Sequence, residues 1–245
     1  MKEAIDFSGD HIFYELNDLK HDTELLRSAQ TCVEFQKKAG MLMLESFFKP
    51  NPKALEEVSE EALSRILQSS GSISDIRVDR SLSNCIVFNS KNMDGSVLDD
   101  QLVELRSETN QLVADRVRKQ FKNSYGMKID ESGHFWYPPG GYMKWHTNVR
   151  TPGWRLYVSY VEEPGKSFFR YRNPDTGKIV TSWDDGWNFR LFKIDPNKLF
   201  WHAVYSNTNR CSLGYRIIQK GRRQYLADLL KRVWKERPIP LTRGI

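Results

Sequence analysis

Apolar residues recur at helical spacing through the first half of the chain and at alternating spacing through the second, with the change near Ser132. From Thr23 to Lys49 the helical pattern runs through Leu25, Leu26, Ala29, Cys32 and Val33, then through Leu42, Leu44 and Phe47. Thr23 is the expected N-cap, and Pro50 and Pro52 stop the pattern. A second helical stretch covers Lys53 to Gln68. The polar segment from Gly71 to Ser90 offers only Cys85 to Phe88 as a short strand. A third helix is expected from about Leu98 to Asn123, carrying Leu102, Leu105, Val113, Val117 and Phe121, with Gly126 beyond it as the breaker.

Past Ser132 the runs are short, aromatic and β-branched, and turn residues separate them at fairly even spacing. That pattern predicts antiparallel strands over 134–137, 142–148, 154–162, 167–172, 178–183, 188–194, 199–206 and 210–218. Asn173 to Gly177 supplies Pro, Asp and Gly for a tight reversal between the fourth and fifth. Eight strands suit a double-sheet jelly roll. The expected fold is therefore mainly β with flanking helices: a helical support region over 1–131, a jelly-roll core over 132–220, and a closing helix with a loose tail over 221–245, in one integrated domain. Leu226, Leu229, Leu230 and Val233 would form the buried stripe of that last helix.

Composition narrows the class. At 245 residues, with 28% charged and 12% aromatic, the chain suits one globular unit with an aromatic core. No apolar run approaches the roughly 18 residues that a membrane span needs, and the start lacks a secretory core, so the expected compartment is the cytoplasm. Cys32, Cys85 and Cys211 follow no metal-knuckle spacing and leave an odd thiol, which argues against a disulfide framework. The formal charge of +6 is concentrated near the C-terminus, where it reads as the solvated face of a helix. Without a stacking platform or recognition motif, nucleic acid is not an expected partner.

The candidate chemistry lies in the run from Tyr137 to Asn148 (YPPGGYMKWHTN), followed by Phe200-Trp-His202 and Arg210-Cys-Ser212. Residues two apart on a strand share a face, so His146 and Asn148 are expected to reach one ion, with His202 closing the set. Two imidazoles and one oxygen donor on one face of an octahedron are the ligands of a mononuclear non-haem iron site with open positions. Here the oxygen donor is an amide where such sites hold a carboxylate.

In this order of elements, over roughly residues 135 to 218, the chain resembles the Fe(II)/2-oxoglutarate-dependent oxygenases, and in local pattern their prolyl-4-hydroxylase-like branch. Tyr137, Gly140, Tyr142, His146 and Asn148 follow that branch's Tyr, Gly turn, aromatic and His-x-carboxylate sequence, and His202 stands for its distal His. The resemblance implies the jelly-roll fold, Fe(II), 2-oxoglutarate and O2, and hydroxylation of an unactivated C–H bond with release of succinate and CO2. It makes His146, Asn148 and His202 the metal ligands and catalytic centre. A guanidinium grips a carboxylate bidentately and keeps its charge when buried, so the distal carboxylate of 2-oxoglutarate calls for an arginine. Arg210 is favoured, with Ser212 and Tyr137 adding hydroxyls. Arg216 competes, but six residues of strand span about 20 Å, so both cannot serve one carboxylate.

The plainer readings stand beside these. His11, His21 and His134 read as ordinary core or surface residues. Trp145 and Trp201 precede the two site histidines on the opposite face and read as packing, as do Trp154, Phe168, Phe169, Trp183 and Trp187, although one or two of these could line the mouth. Glu162 and Glu163 read as strand-end charges, with one of them an outside candidate for the missing carboxylate. Asn148 leaves three accounts open: an oxygenase that retains the amide, a halogenase in which chloride takes the vacated position, or a jelly-roll binding or sensor protein without redox chemistry. The expected partner is a small-molecule or peptide substrate, and Lys144, Arg150, Arg155, Arg170, Arg172 and Arg190 tilt it toward an anionic one. Residue types do not decide the substrate or the oligomeric state.

Overall fold

The computed structural model describes residues 4–69, 82–88 and 100–219. Its strands are β1 (Phe13–Glu15), β2 (Ser83–Asn84), β3 (Ile86–Val87), β4 (Met127–Tyr137), β5 (Gly141–His146), β6 (Gly153–Val161), β7 (Ser167–Arg172), β8 (Ile179–Trp183), β9 (Trp187–Ile194), β10 (His202–Ser206) and β11 (Arg210–Gln219). Its helices are α1 (Thr23–Phe47), α2 (Glu60–Ser69) and α3 (Asp100–Arg118). The strands form two antiparallel sheets, one ordered β1-β9-β6-β11-β4-β3 and the other β2-β5-β10-β7-β8. From β4 to β11 the chain crosses between the sheets at every step except β7 to β8, so residues far apart in sequence meet inside the sandwich.

The packing follows from alternation along each strand. On β6 and β11, Trp154, Leu156, Val158, Leu213, Tyr215 and Ile217 face outward and are buried against Leu25, Ala29 and Cys32 of α1 and Val113 and Val117 of α3. The opposite outer face, built from Tyr142, Trp145, Phe168, Trp201 and Ala203, is covered by Ala54, Val58, Ala62 and Leu63 on and before α2. Trp145 and Trp201 thus pack in the core, as their position opposite the histidines predicts. Between the sheets lies an aromatic interior of Tyr137, Phe169, Tyr171, Phe192 and Phe200. Burying each such ring stabilises by roughly 1.5–3 kcal/mol. Phe192 and Phe200 stack at 5.0 Å, and both lie against His202, so one wall of the candidate site is rigid and dry.

The eight strands expected past Ser132 all form, with ends shifted by a few residues. The first begins earlier, at Met127, because its outer half pairs with the end of β11. The short strand expected over Cys85 to Phe88 forms as β3 and edges β4, and the mostly helical region also supplies β1 and β2, which add an edge to β9 and β5. The cap of α1 is Asp22 rather than Thr23: its Oδ1 accepts the Leu25 N–H at 3.0 Å. The third helix stops at Arg118, and Gly126, with φ 70°, serves the turn into β4 instead. The closing helix expected over 221–236 lies outside the described residues.

Leu42 does not join the core but is 86% exposed. The buried stripe of α1 continues instead through Gln36 and Gly40. Gly40 is there because Trp136 leaves no room for a side chain: a Cβ at this position would lie 2.2 Å from Cε3 of that ring. Gly40→Ala should therefore destabilise the fold by about 1–3 kcal/mol, despite alanine's helix propensity, because overpacking wins. Urea unfolding of wild type and variant measures this, and an unchanged or raised midpoint would contradict it.

Candidate metal and anion site

His146 ends β5 and His202 opens β10, where the two are register partners, so one sheet places both imidazoles side by side. Their ring centroids are 4.0 Å apart. Each ring is held at its far nitrogen. Nδ1 of His146 donates to the carbonyl of Lys144 at 2.8 Å, and Nδ1 of His202 donates to the carbonyl of Phe200 at 3.1 Å. With the proton fixed on Nδ1, each Nε2 keeps a lone pair, the state in which histidine binds a metal. Burial pushes His146 down to about 4. Burial, and then the neighbouring His146, hold His202 well below the usual histidine range. Both rings are neutral at physiological pH.

Asn148 reaches the same place by a different route from the one expected. It lies beyond the end of β5, not on the strand, with φ 54°. That left-handed conformation is one asparagine adopts more readily than most residues. Its amide lies 3.2 Å from Nε2 of His202. With its nitrogen inward, the amide donates to the imidazole. Turned by 180° about its last bond, it presents the oxygen to the same spot, and the two orientations are told apart only by the partner present. Among the described residues no three His, Cys, Asp or Glu side chains converge. The donors that do converge are two imidazoles and one amide. Glu162 is a surface charge, paired with Lys37 and accepting from Asn209 at 2.8 Å.

Arg210 opens β11 and is register partner to Tyr137 on one side and Val161 on the other. It is 1% exposed, and its guanidinium carbon lies 5.2 Å from the Tyr137 ring centroid. Its Nε donates to Oδ2 of Asp184 at 2.9 Å. Both Nη1 and Nη2 are buried without a hydrogen-bond partner among the described residues. Asp184 also takes Arg190, which is 2% exposed and whose other nitrogens donate to Ser182 and the Trp183 carbonyl. Ser167 donates its hydroxyl to the same carboxylate. Burial pushes the Asp184 carboxyl up, but Arg210, Arg190 and these hydrogen bonds outweigh it and hold it at about 2. Asp184 thus bridges two buried cations, Arg190 also lies 3.9 Å from the Glu15 carboxylate, and the two nitrogens of Arg210 left unpaired among the described residues are where an anion would bind.

Ser212 follows on the same face, buried, with Ser159 directly across on β6. The Ser159 hydroxyl is buried and has no partner among the described residues. Arg216 stands six residues along β11, opposite Arg155, and so belongs to another part of the interior. Of the other basic residues noted in the sequence, Lys144 pairs with Glu57, Arg170 donates to the Val58 carbonyl and Thr181, and Arg190 is committed to Asp184. Trp183 is 57% exposed rather than packed, though its ring edge meets Phe168.

Asp184 and Ser159 went unread in the sequence. Asp184 opens Asp184-Asp185-Gly186, which looks like turn chemistry, and only the pairing of β9 with β6 and of β6 with β11 shows that two arginines meet it. The alternation of Arg155, Tyr157 and Ser159 was the available signal for Ser159.

Comparison with protein-family models and with curated proteins finds no match. Among solved structures, the chain is similar to a Pseudomonas putida prolyl-4-hydroxylase, at 13% identity and TM-score 0.45, over 86% of this chain and 94% of that one. It is similar to a Trichoplax adhaerens prolyl hydroxylase, solved with a hypoxia inducible factor peptide fragment, at 16% identity and TM-score 0.41, over 84% and 97%. A viral collagen prolyl hydroxylase from Paramecium Bursaria Chlorella virus-1 is similar at 12% identity and TM-score 0.32, over 67% and 93%.

Proposed function

We propose that this chain is an Fe(II)- and 2-oxoglutarate-dependent oxygenase with a jelly-roll core, hydroxylating an unactivated C–H bond. The observation that carries this reading is the buried, half-satisfied guanidinium of Arg210. A buried charge with two unpaired donors is costly unless a ligand supplies the missing anion. A carboxylate is the planar, bidentate anion that such a fork suits. Two neutral imidazoles with free Nε2 atoms inside the same sandwich supply the other half, a seat for a divalent metal. The residues present therefore fit both groups: His146, His202 and the oxygen of Asn148 would hold Fe(II), and Arg210 would hold the distal carboxylate of 2-oxoglutarate. When bound, the pair supplies the coupling of O2 reduction to decarboxylation of the keto acid and oxidation of a C–H bond.

The chain's own residues bind, orient and exclude water. Asp184 fixes Nε of Arg210 and so leaves Nη1 and Nη2 as the edge that would take a carboxylate. Tyr137 packs beside that guanidinium, and burial raises its phenol well above the usual range, so it remains a neutral donor. Ser212 and Ser159 offer two further hydroxyls on the same face. Phe169, Phe192 and Phe200 close around His202 and keep bulk water from its ring. A hydroxylase is preferred to a halogenase because the Asn148 amide already stands beside His202, where a halide would need space.

Anaerobic titration of Fe(II) and 2-oxoglutarate, followed by the weak visible charge-transfer band of the chelate, tests the reading. The expected result is a band in wild type that is lost in His146→Ala and in Arg210→Met. Absence of the band from wild type would overturn the oxygenase, and 2-oxoglutarate binding without it would leave a binding protein.

A further inference from the structure

A second pair of arginines, Arg155 buried and Arg216 half-buried, stands at the other end of β11 from Arg210. Arg155 on β6 and Arg216 on β11 are register partners, so their side chains leave the two strands on one face. It is the face of Tyr157, whose ring lies 6.3 Å from that of His202. Arg155 is 4% exposed and spends one nitrogen, Nη2, on the carbonyl and hydroxyl of Thr151. Its Nη1 is buried without a partner among the described residues, and so is Nε of Arg216. Asp130 stands across from Arg216 on β4, but its carboxylate is bonded to Lys128.

Like charges on adjacent strands repel, and burial makes the repulsion costlier. Arg190 and Arg210 meet the same difficulty with Asp184 between them. Arg155 and Arg216 have no such carboxylate among the described residues. The position matters as much as the charge. Thr151 donates its N–H to the Asn148 carbonyl at 3.0 Å, so Arg155 grips the loop that carries the third candidate ligand. The β11 face thus has a cationic group at each end, Arg210 and Arg216, with the two imidazoles on the facing sheet.

We infer that Arg155 and Arg216 form a second oxyanion site, which holds a carboxylate or phosphate of the substrate beside the metal seat. The site selects small acidic molecules over neutral peptides and sets which carbon faces the imidazoles. This rests on the oxygenase reading for the word substrate but not for the binding of the anion. Arg216 therefore has a role distinct from the cosubstrate anchoring for which the sequence made it a competitor.

The test is calorimetric titration of the metal-free full chain with inorganic phosphate and, separately, acetate, each with and without saturating 2-oxoglutarate. Wild type should bind phosphate or acetate in the presence of 2-oxoglutarate, and the tighter of the two identifies the group recognised. Arg216→Met and Arg155→Met should each weaken that binding at least tenfold. Arg155 also holds a loop, so Arg216→Gln, which removes charge without touching Thr151, decides the matter if Arg155→Met does not fold. No anion binding by wild type, or equal binding by wild type and both Arg216 variants, would overturn the proposal. Failure of the oxygenase reading looks different: 2-oxoglutarate would not bind, and phosphate binding would still depend on Arg216.

Discussion

Asp184→Asn should cost about 3–5 kcal/mol of folding stability, the range for leaving buried charge uncompensated, and should weaken 2-oxoglutarate binding by two orders of magnitude or more. The first effect follows from what remains. Asparagine can still accept a hydrogen bond, but Arg190 and Arg210, at 2% and 1% exposure, would keep their charges with no anion between them, Arg190 retaining only the partly exposed Glu15 at 3.9 Å. The second follows from orientation. Nε of Arg210 would lose its fixed partner, and the Nη edge would no longer be pre-aimed at the ligand. Urea unfolding with and without 2-oxoglutarate measures both, and a variant within 1 kcal/mol of wild type would contradict the account.

Acid titration gives an independent check. The folded carboxyl, at about 2, lies below its ordinary value of 3.8. Its contribution is therefore fully present above about pH 4 and is lost as the pH falls toward 2. A shift of this size corresponds to roughly 2 kcal/mol. Wild type should lose that stability across the window, and Asp184→Asn should not.

Asn148→Asp should raise the affinity for Fe(II), or for Mn(II) as a stable substitute, by about a hundredfold. A carboxylate adds a full negative charge to a seat that otherwise holds three neutral donors, and at an effective dielectric of about 20 a unit pair at 4 Å is worth roughly 4 kcal/mol. Desolvation of the new carboxylate takes back part of this. Aspartate tolerates the left-handed φ of 54° nearly as well as asparagine does, so the loop should keep its shape. Metal affinity by competition with a chelator reads the effect. Equal affinities for the two chains would mean that residue 148 is a neighbour of the metal and not a ligand. The same titration with Asn148→Ala separates a weak amide ligand, whose loss lowers affinity further, from a bystander.

The strands past Ser132 were legible because alternation is a local property, and each run there is long enough to show it. β3 was legible as the apolar run from Cys85 to Phe88, but β1 and β2 were not, because two or three residues carry no period and owe their pairing to the long strands beside them. Leu42 misled for a related reason: helical spacing marks a stripe but not how far along the helix the core extends, and Gly40 marks that only once Trp136 is known to press on it. His146, His202 and Arg210 were legible as a set of types at intervals, and the sheets bring the two histidines together as expected. The route of Asn148 was misjudged because a strand was extended two residues too far. Asp184 required knowing which arginines face it across three strands, which no local pattern contains.

β11 lies between β6 and β4 at the middle of the larger sheet, yet it is the latest of the described strands in the chain. β1, among the earliest residues, pairs with β9 roughly 180 positions away. Neither pairing can close during synthesis until most of the chain has left the ribosome, and closures over such distances place a protein among slow folders. Arg210 and Arg216 are delivered only when β11 inserts. Until then Asp184 holds only Arg190 and Ser167, and the histidines line an open sheet. Ligands that need those arginines can recognise only the finished pair of sheets, so they should slow unfolding while leaving the folding rate unchanged.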